Sequence, residues 1–140
     1  MIYLDTHVVA WLYAGRLDLL SEAARQSLEA EELRVSPMVG LELQYLHEIG
    51  RTAEPAAAVL AELGRKLGLV VCDLPFSEVA AGAQGLRFTR DPFDRLIAAQ
   101  AMAGRAALLT KDQTLLEHVP WAFWSERAVS SDYRGRFSRR

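Results

Sequence analysis

The chain has 140 residues, about half of them hydrophobic and a quarter charged, with a formal net charge of −2. That is the balance of an ordinary soluble domain, and it argues against a uniformly basic protein that coats nucleic acid. A single cysteine, Cys72, excludes an internal disulfide framework and any thiolate metal cluster. The charge is nonetheless uneven. From Arg127 onward five arginines face only Asp132, so the last residues carry about +4 and the remainder about −6. The sequence therefore divides into one domain over residues 1–126 and a basic tail over 127–140, either a solubilising end or a phosphate-seeking arm. The N-terminus lacks the features of a signal peptide and no apolar run approaches a membrane span, so the expected location is the cytoplasm.

In chain order, Ile2-Tyr3-Leu4 is a short strand that stops at Asp5-Thr6, and Val8 to Tyr13 is an apolar helical stretch ending at Gly15. Ser21 caps a second helix running to Ala30, with Ala24 and Leu28 facing inward. Leu33-Arg34-Val35 is the next strand. Ser36-Pro37 then reads as N-cap and first residue of a helix to Ile49 that carries Glu42. Pro55 to Leu67 is an alanine-rich helix ended by Gly68, and Leu69 to Cys72 is a third strand, expected to be fully buried. Pro75 to Gln84 is a short helix, followed by a loop to Arg90.

Asp91 and Pro92 then open a nearly all-apolar helix to Ala103, with Asp94 in its first turn. Ala106 to Thr110 is a fourth strand followed at once by Lys111-Asp112. A helix around Thr114 to His118 ends at Pro120, and Trp121 to Trp124 is a last edge strand. Short apolar strands alternating with longer helices predict a three-layer α/β/α domain with a short, mainly parallel central sheet. In such sheets ligands bind outside the carboxyl ends of the strands.

The acids gather at that edge. Asp5 ends the first strand, Asp112 follows the fourth, Asp94 lies in a helix's first turn, Glu42 faces back from another helix, and Asp91 precedes Asp94 by one turn. Asp91 with Pro92 also satisfies a plain capping role, since aspartate is favoured at a helix start. Carboxylates crowded together repel, and they make sense around a divalent cation. Oxygen ligation without His or Cys selects a hard ion, Mg²⁺ or Mn²⁺. Asp5, Asp94 and Asp112 are the candidate metal ligands, Glu42 completes the set or acts as general base, and Thr6 and Thr110 are placed to orient bound waters. The chemistry suggested is metal-assisted phosphodiester hydrolysis.

The run LDTH at 4–7, the spacing of Ser36, Pro37 and Glu42, the DPFDR at 91–95 and the LLTKD at 108–112 together resemble the PIN-domain ribonucleases. The likeness is nearest to the VapC-type toxins of bacterial toxin–antitoxin pairs, in the group whose helix begins DPFDR, and it runs from Ile2 to about Trp124. It implies a Mg²⁺-dependent endoribonuclease, commonly a homodimer, inhibited by a small antitoxin protein. By position, Asp5, Glu42, Asp94 and Asp112 match the family's acids, Thr6 and Thr110 its supporting hydroxyls, and Asp91 the DPFDR group alone. For the RNA substrate, Arg87 and Arg90 read as phosphate guides. Arg95 and Lys111 contact RNA phosphates or neutralise the acids beside them. Two rivals remain: a PIN-like module that only docks a protein, and a housekeeping RNA-processing nuclease.

Overall fold

The computed structural model describes residues 1–125, so the basic tail expected at 127–140 lies outside the described residues. Five strands form one parallel sheet in the order β3-β2-β1-β4-β5, from β1 (Ile2–Leu4), β2 (Leu33–Val35), β3 (Val70–Val71), β4 (Ala107–Leu109) and β5 (Ala122–Phe123). The register is continuous across the middle: Tyr3 pairs with Arg34 on one side and with Leu108 on the other. Every residue of β1 and β4 is at most 2% exposed, which requires helices on both faces. The three-layer architecture expected from the alternation of elements is therefore present.

The helices are α1 (Thr6–Tyr13), α2 (Glu22–Ala30), α3 (Pro37–Glu48), α4 (Ala56–Leu67), α5 (Phe76–Ala83), α6 (Pro92–Ala103) and α7 (Gln113–His118). Their starts are set by local chemistry. Asp5, Ser21, Ser36, Asp91 and Asp112 each act as N-cap, the side-chain oxygen accepting from a backbone N–H in the following turn. Pro37 and Pro92 occupy first helical positions, where a missing N–H costs nothing. Gly68, at φ 71°, closes α4 in the left-handed conformation that glycine adopts freely. Among the described residues no helix is long and apolar enough to cross a membrane.

One strand differs from expectation. β3 holds only Val70 and Val71, and these are 47% and 42% exposed, whereas the flanking Leu69 and Cys72 are buried. The sheet order explains it: β3 is an edge strand with β2 as its single neighbour, so an apolar run did not signify two covered faces. β5, the other edge, lies where the sequence placed it and pairs parallel to β4.

The order of connection creates the functional edge. From β1 the chain steps outward through β2 to β3, then returns to the other side of β1 to lay down β4. The reversal leaves a crevice between the carboxyl ends of β1 and β4, the topological switch point where open α/β sheets bind ligands. Behind it, α6 is buried from Ile97 to Met102 and forms a rigid strut, and Trp121 Nε1 donates to Ala98 O at 3.0 Å to tie it to the last strand. At its end Gly104 has an ordinary helical φ of −79°, and Arg105 takes the positive φ of 54°. Glycine is required at 104 by proximity: a Cβ there would lie 2.7 Å from two ring carbons of Tyr3. Gly104→Ala should therefore destabilise the fold by about 1–3 kcal/mol, the usual cost of overpacking. A urea denaturation midpoint equal to that of the parent chain would contradict this.

Candidate active site

Asp5 is the deepest acid, 5% exposed. Its two oxygens are both engaged: Oδ1 accepts from Thr6 N at 2.8 Å, and Oδ2 accepts from the Thr110 hydroxyl at 2.6 Å. The second bond spans the crevice from the end of β4 to the end of β1. Burial pushes the Asp5 carboxyl up from its ordinary value, the Thr110 and Thr6 bonds pull it back down, and Asp112 adds a smaller upward push. Thr110 is itself fully buried, and its oxygen also accepts from Asp112 N at 3.0 Å. One hydroxyl thus positions two acids.

Asp112 spends Oδ1 on capping α7, accepting from Leu115 N at 2.9 Å. Asp91 behaves likewise at α6, with Oδ1 accepting from Phe93 N at 2.8 Å and Asp94 N at 3.4 Å. Along the DPFDR run, Asp91 is an exposed cap, and Asp94 is half-buried one turn on. Asp94 is pushed up to about 7, first by desolvation and then by the charges of Asp91, Asp112, Asp5 and Glu42. The other four sequence-predicted acids thus all lie within electrostatic reach of Asp94. A helix N-terminus ordinarily favours an ionised acid, and here burial and crowding outweigh it.

Glu42 comes from α3. Its carboxyl is raised by burial and by Asp5 and Asp91, and lowered by the nearby Thr6 hydroxyl and by His7. Thr6 Oγ1 is buried beside Glu42 and has no other hydrogen-bond partner among the described residues. The helices bearing Glu42 and Asp94 are joined beside the acids by Tyr45 and Phe93, edge to face at 5.5 Å. Ser36, the cap of α3, donates to the buried Gln100 Oε1 of α6 at 3.3 Å and adds a polar link.

Three placements differ from what sequence alone conveyed. His7, two residues after Asp5 in the first turn of α1, lies beside Asp5 and Glu42 and favours their ionised forms. Gln100 was unremarked, although a lone amide within Leu96 to Met102 marks a buried polar contact. Arg95 pairs with none of the acids among the described residues. Its guanidinium turns to α5, with Nε and Nη2 donating to Ala83 O at 3.1 and 2.8 Å and Nη2 also to Gln84 O at 3.2 Å. The Lys111 ammonium lies 5.9 Å from the ring centres of both Trp11 and Trp124. Arg87 and Arg90 are exposed beside Arg95.

Among the described residues no three acidic, histidine or cysteine groups close tightly enough to grip a bare ion. The donor set nonetheless fits a hydrated one. Mg²⁺ takes one or two carboxylates and keeps several waters, and two of the carboxylates here, Asp5 and Glu42, flank Thr6, whose buried hydroxyl has no other partner among the described residues.

A small parallel α/β sheet with carboxylates converging at its switch point defines a PIN-type nuclease domain, and the PIN domain family model matches residues 2–121. The chain belongs to this family, whose VapC nucleases generally need a divalent metal. Within it the chain is 36% identical over 120 residues to Ribonuclease VapC22 of Mycobacterium tuberculosis, covering 84% of this chain and 91% of that protein. Solved structures share the fold. VapBC2 from Rickettsia felis, bound to a DNA fragment from their promoter, superposes with a TM-score of 0.62 at 21% identity, covering 84% of this chain and 93% of that one. A toxin–antitoxin complex from Klebsiella pneumoniae gives 0.63 at 18% identity, covering 91% and 100%. DNA-bound VapBC from Salmonella typhimurium gives 0.61 at 19%, covering 86% and 93%.

The crowding has a measurable sign. Asp94 holds its proton more tightly in the fold than in the unfolded chain, whose aspartates titrate near 3.9. Between about pH 4 and 7 the native state therefore binds more protons, and metal-free stability should fall as pH rises. Asp5 and Glu42, also raised, act in the same direction. Urea unfolding in EDTA should show greater stability at pH 5 than at pH 8, Mg²⁺ should remove most of the difference, and Asp94→Asn should flatten the slope. A pH-independent midpoint would contradict the electrostatics.

Proposed function

We propose that this chain is a Mg²⁺-dependent endoribonuclease, with Mn²⁺ able to substitute, and that it is the toxin of a toxin–antitoxin pair. The observation that carries the reading is the acid cluster itself, Asp5, Glu42, Asp94 and Asp112 at one switch point, with Asp5 buried and hydrogen-bonded across it. Asp5, Asp94 and Asp112 would hold the ion through carboxylate oxygens and bound waters. When bound, the ion supplies a water of lowered pKa and neutralises charge on a phosphoryl oxygen.

The remaining work belongs to the chain. Thr110 fixes the Asp5 carboxylate by donating to Oδ2, and α6 holds Asp94 on a buried mount. Thr6, whose hydroxyl lacks a satisfied partner, is placed to orient a water. Glu42, half-buried and with its proton affinity raised, accepts the proton that water loses. Asp91 serves chiefly as the cap that keeps the start of α6 in place. Lys111, at the rim on Trp11 and Trp124, is available to a backbone phosphate of the strand.

Two surfaces support the partner assignments. On α3 and its C-cap, Leu41, Tyr45 and Ile49 are 42%, 48% and 67% exposed at successive four-residue intervals, an apolar stripe suited to a second copy. Between α1, α3 and α4 a cleft of about 460 Å³, lined by Trp11, Tyr13, Leu43, Leu46 and Val59 among others, suits an apolar antitoxin segment. The similar structures named above that were solved as toxin–antitoxin complexes support the antitoxin assignment.

Asp5→Ala and Asp94→Asn should each lower Mg²⁺-dependent RNA cleavage by at least about 100-fold, the scale of losing a principal electrostatic contact. Expression of either variant should no longer arrest growth. Full cleavage in EDTA, or unchanged cleavage by both variants, would overturn the reading. A chain that never cuts RNA yet binds a small protein at this cleft would instead be the docking module.

A further inference from the structure

Three arginines stand together on the α5 side of the acid centre. Arg87, Arg90 and Arg95, with Gln84, line a cleft of about 320 Å³ at the start of α6. Arg90 immediately precedes the cap Asp91, and Arg95 immediately follows Asp94. Among the described residues none of the three forms an ion pair with a carboxylate. That is unusual beside five acids, because the nearest negative charges would be expected to attract them. Arg95 is held away by the carbonyl oxygens of Ala83 and Gln84, which fix its guanidinium in place and leave Nη1 without a protein hydrogen bond among the described residues. Arg87 and Arg90 stay exposed at the mouth.

We propose that this cleft is an anion seat for the non-bridging oxygens of one phosphate of the RNA strand, beside the acid centre. Resting on the reading of that centre as the site of RNA cleavage, it assigns the strand a direction of exit across the α5–α6 junction. Guanidinium forks match phosphate oxygens in pairs, so converging arginines recognise a phosphodiester through charge and planar geometry. The cleft lacks an aromatic face among its lining residues, so it grips the backbone and leaves base choice to other parts of the surface. It also resolves an electrostatic difficulty. An acid centre repels the polyanion it must cut, and a positive seat beside it offsets that repulsion where the strand leaves across the α5–α6 junction. Arg95 is a positioning residue in this scheme: its bonds to α5 hold the back of the seat, and Arg87 and Arg90 close on the phosphate.

The test separates this seat from the cleavage chemistry. Binding of a fluorescent single-stranded RNA is measured in Mg²⁺ on the Asp94→Asn chain, with and without Arg87→Gln and Arg90→Gln together. The double substitution should weaken binding roughly tenfold, the scale of a lost charge-assisted contact. It should also reduce the slope of log K against log salt by about 0.7, the value for one single-strand phosphate. In the cleaving chain the same pair should raise KM with kcat nearly unchanged, and Arg87→Lys with Arg90→Lys should recover part of the loss. Unchanged RNA affinity and salt slope would overturn the seat even if the chain cleaves RNA normally. Arginine-dependent RNA binding in a chain that does not cleave would uphold the seat and refute the nuclease reading. Loss of affinity for a poly-glutamate peptide with RNA binding intact would overturn it in favour of an acidic protein partner.

Discussion

The structure depends on one hydrogen bond across one crevice. Thr110 at the end of β4 donates to Asp5 at the end of β1 at 2.6 Å, and both residues are buried. Neither is near the other in sequence, and they meet because the chain reverses its direction of strand addition at β1. A carboxylate in that position is costly to bury, and the two donors that satisfy it only partly offset the penalty. Around it the fold then assembles four more acids. Such an arrangement stores repulsion, which a divalent cation would relieve.

The helices divide the labour of holding that arrangement. α6 contributes both an exposed cap and a half-buried acid within one turn, and its apolar body anchors the acid to the core. α3 brings Glu42 to the same edge, and its contact with α6 runs through Tyr45, Phe93, Ser36 and Gln100. The arginine and lysine next to the acids in sequence stay outside. Arg95 turns to the carbonyls that end α5, and Lys111 lies against two indoles, so the acid centre keeps its charge for a cation.

What could be read from the sequence was what local chemistry determines. Caps, first-turn prolines and short apolar runs placed the strands and helices to within a few residues, because each signal acts inside a single turn. The acids could be collected because strand ends and helix starts share one edge in a parallel sheet. What escaped was set by tertiary partners. Val70 and Val71 resemble core residues until the sheet order makes β3 an edge. Arg95 follows Asp94 directly, yet helix geometry sends neighbouring side chains in different directions, and α5 supplies the acceptors it takes. His7 sits in the first turn of α1, and only the fold brings Glu42 beside it.

The central claim is that these acids are held in forced proximity and await a cation. The most direct measurement is a carboxyl carbon NMR titration of Asp94, without metal and with Mg²⁺. The account predicts a midpoint near 7 in EDTA that moves well into the acid range when Mg²⁺ is added. A metal-free midpoint near 4, or one near 7 that Mg²⁺ leaves in place, would contradict it.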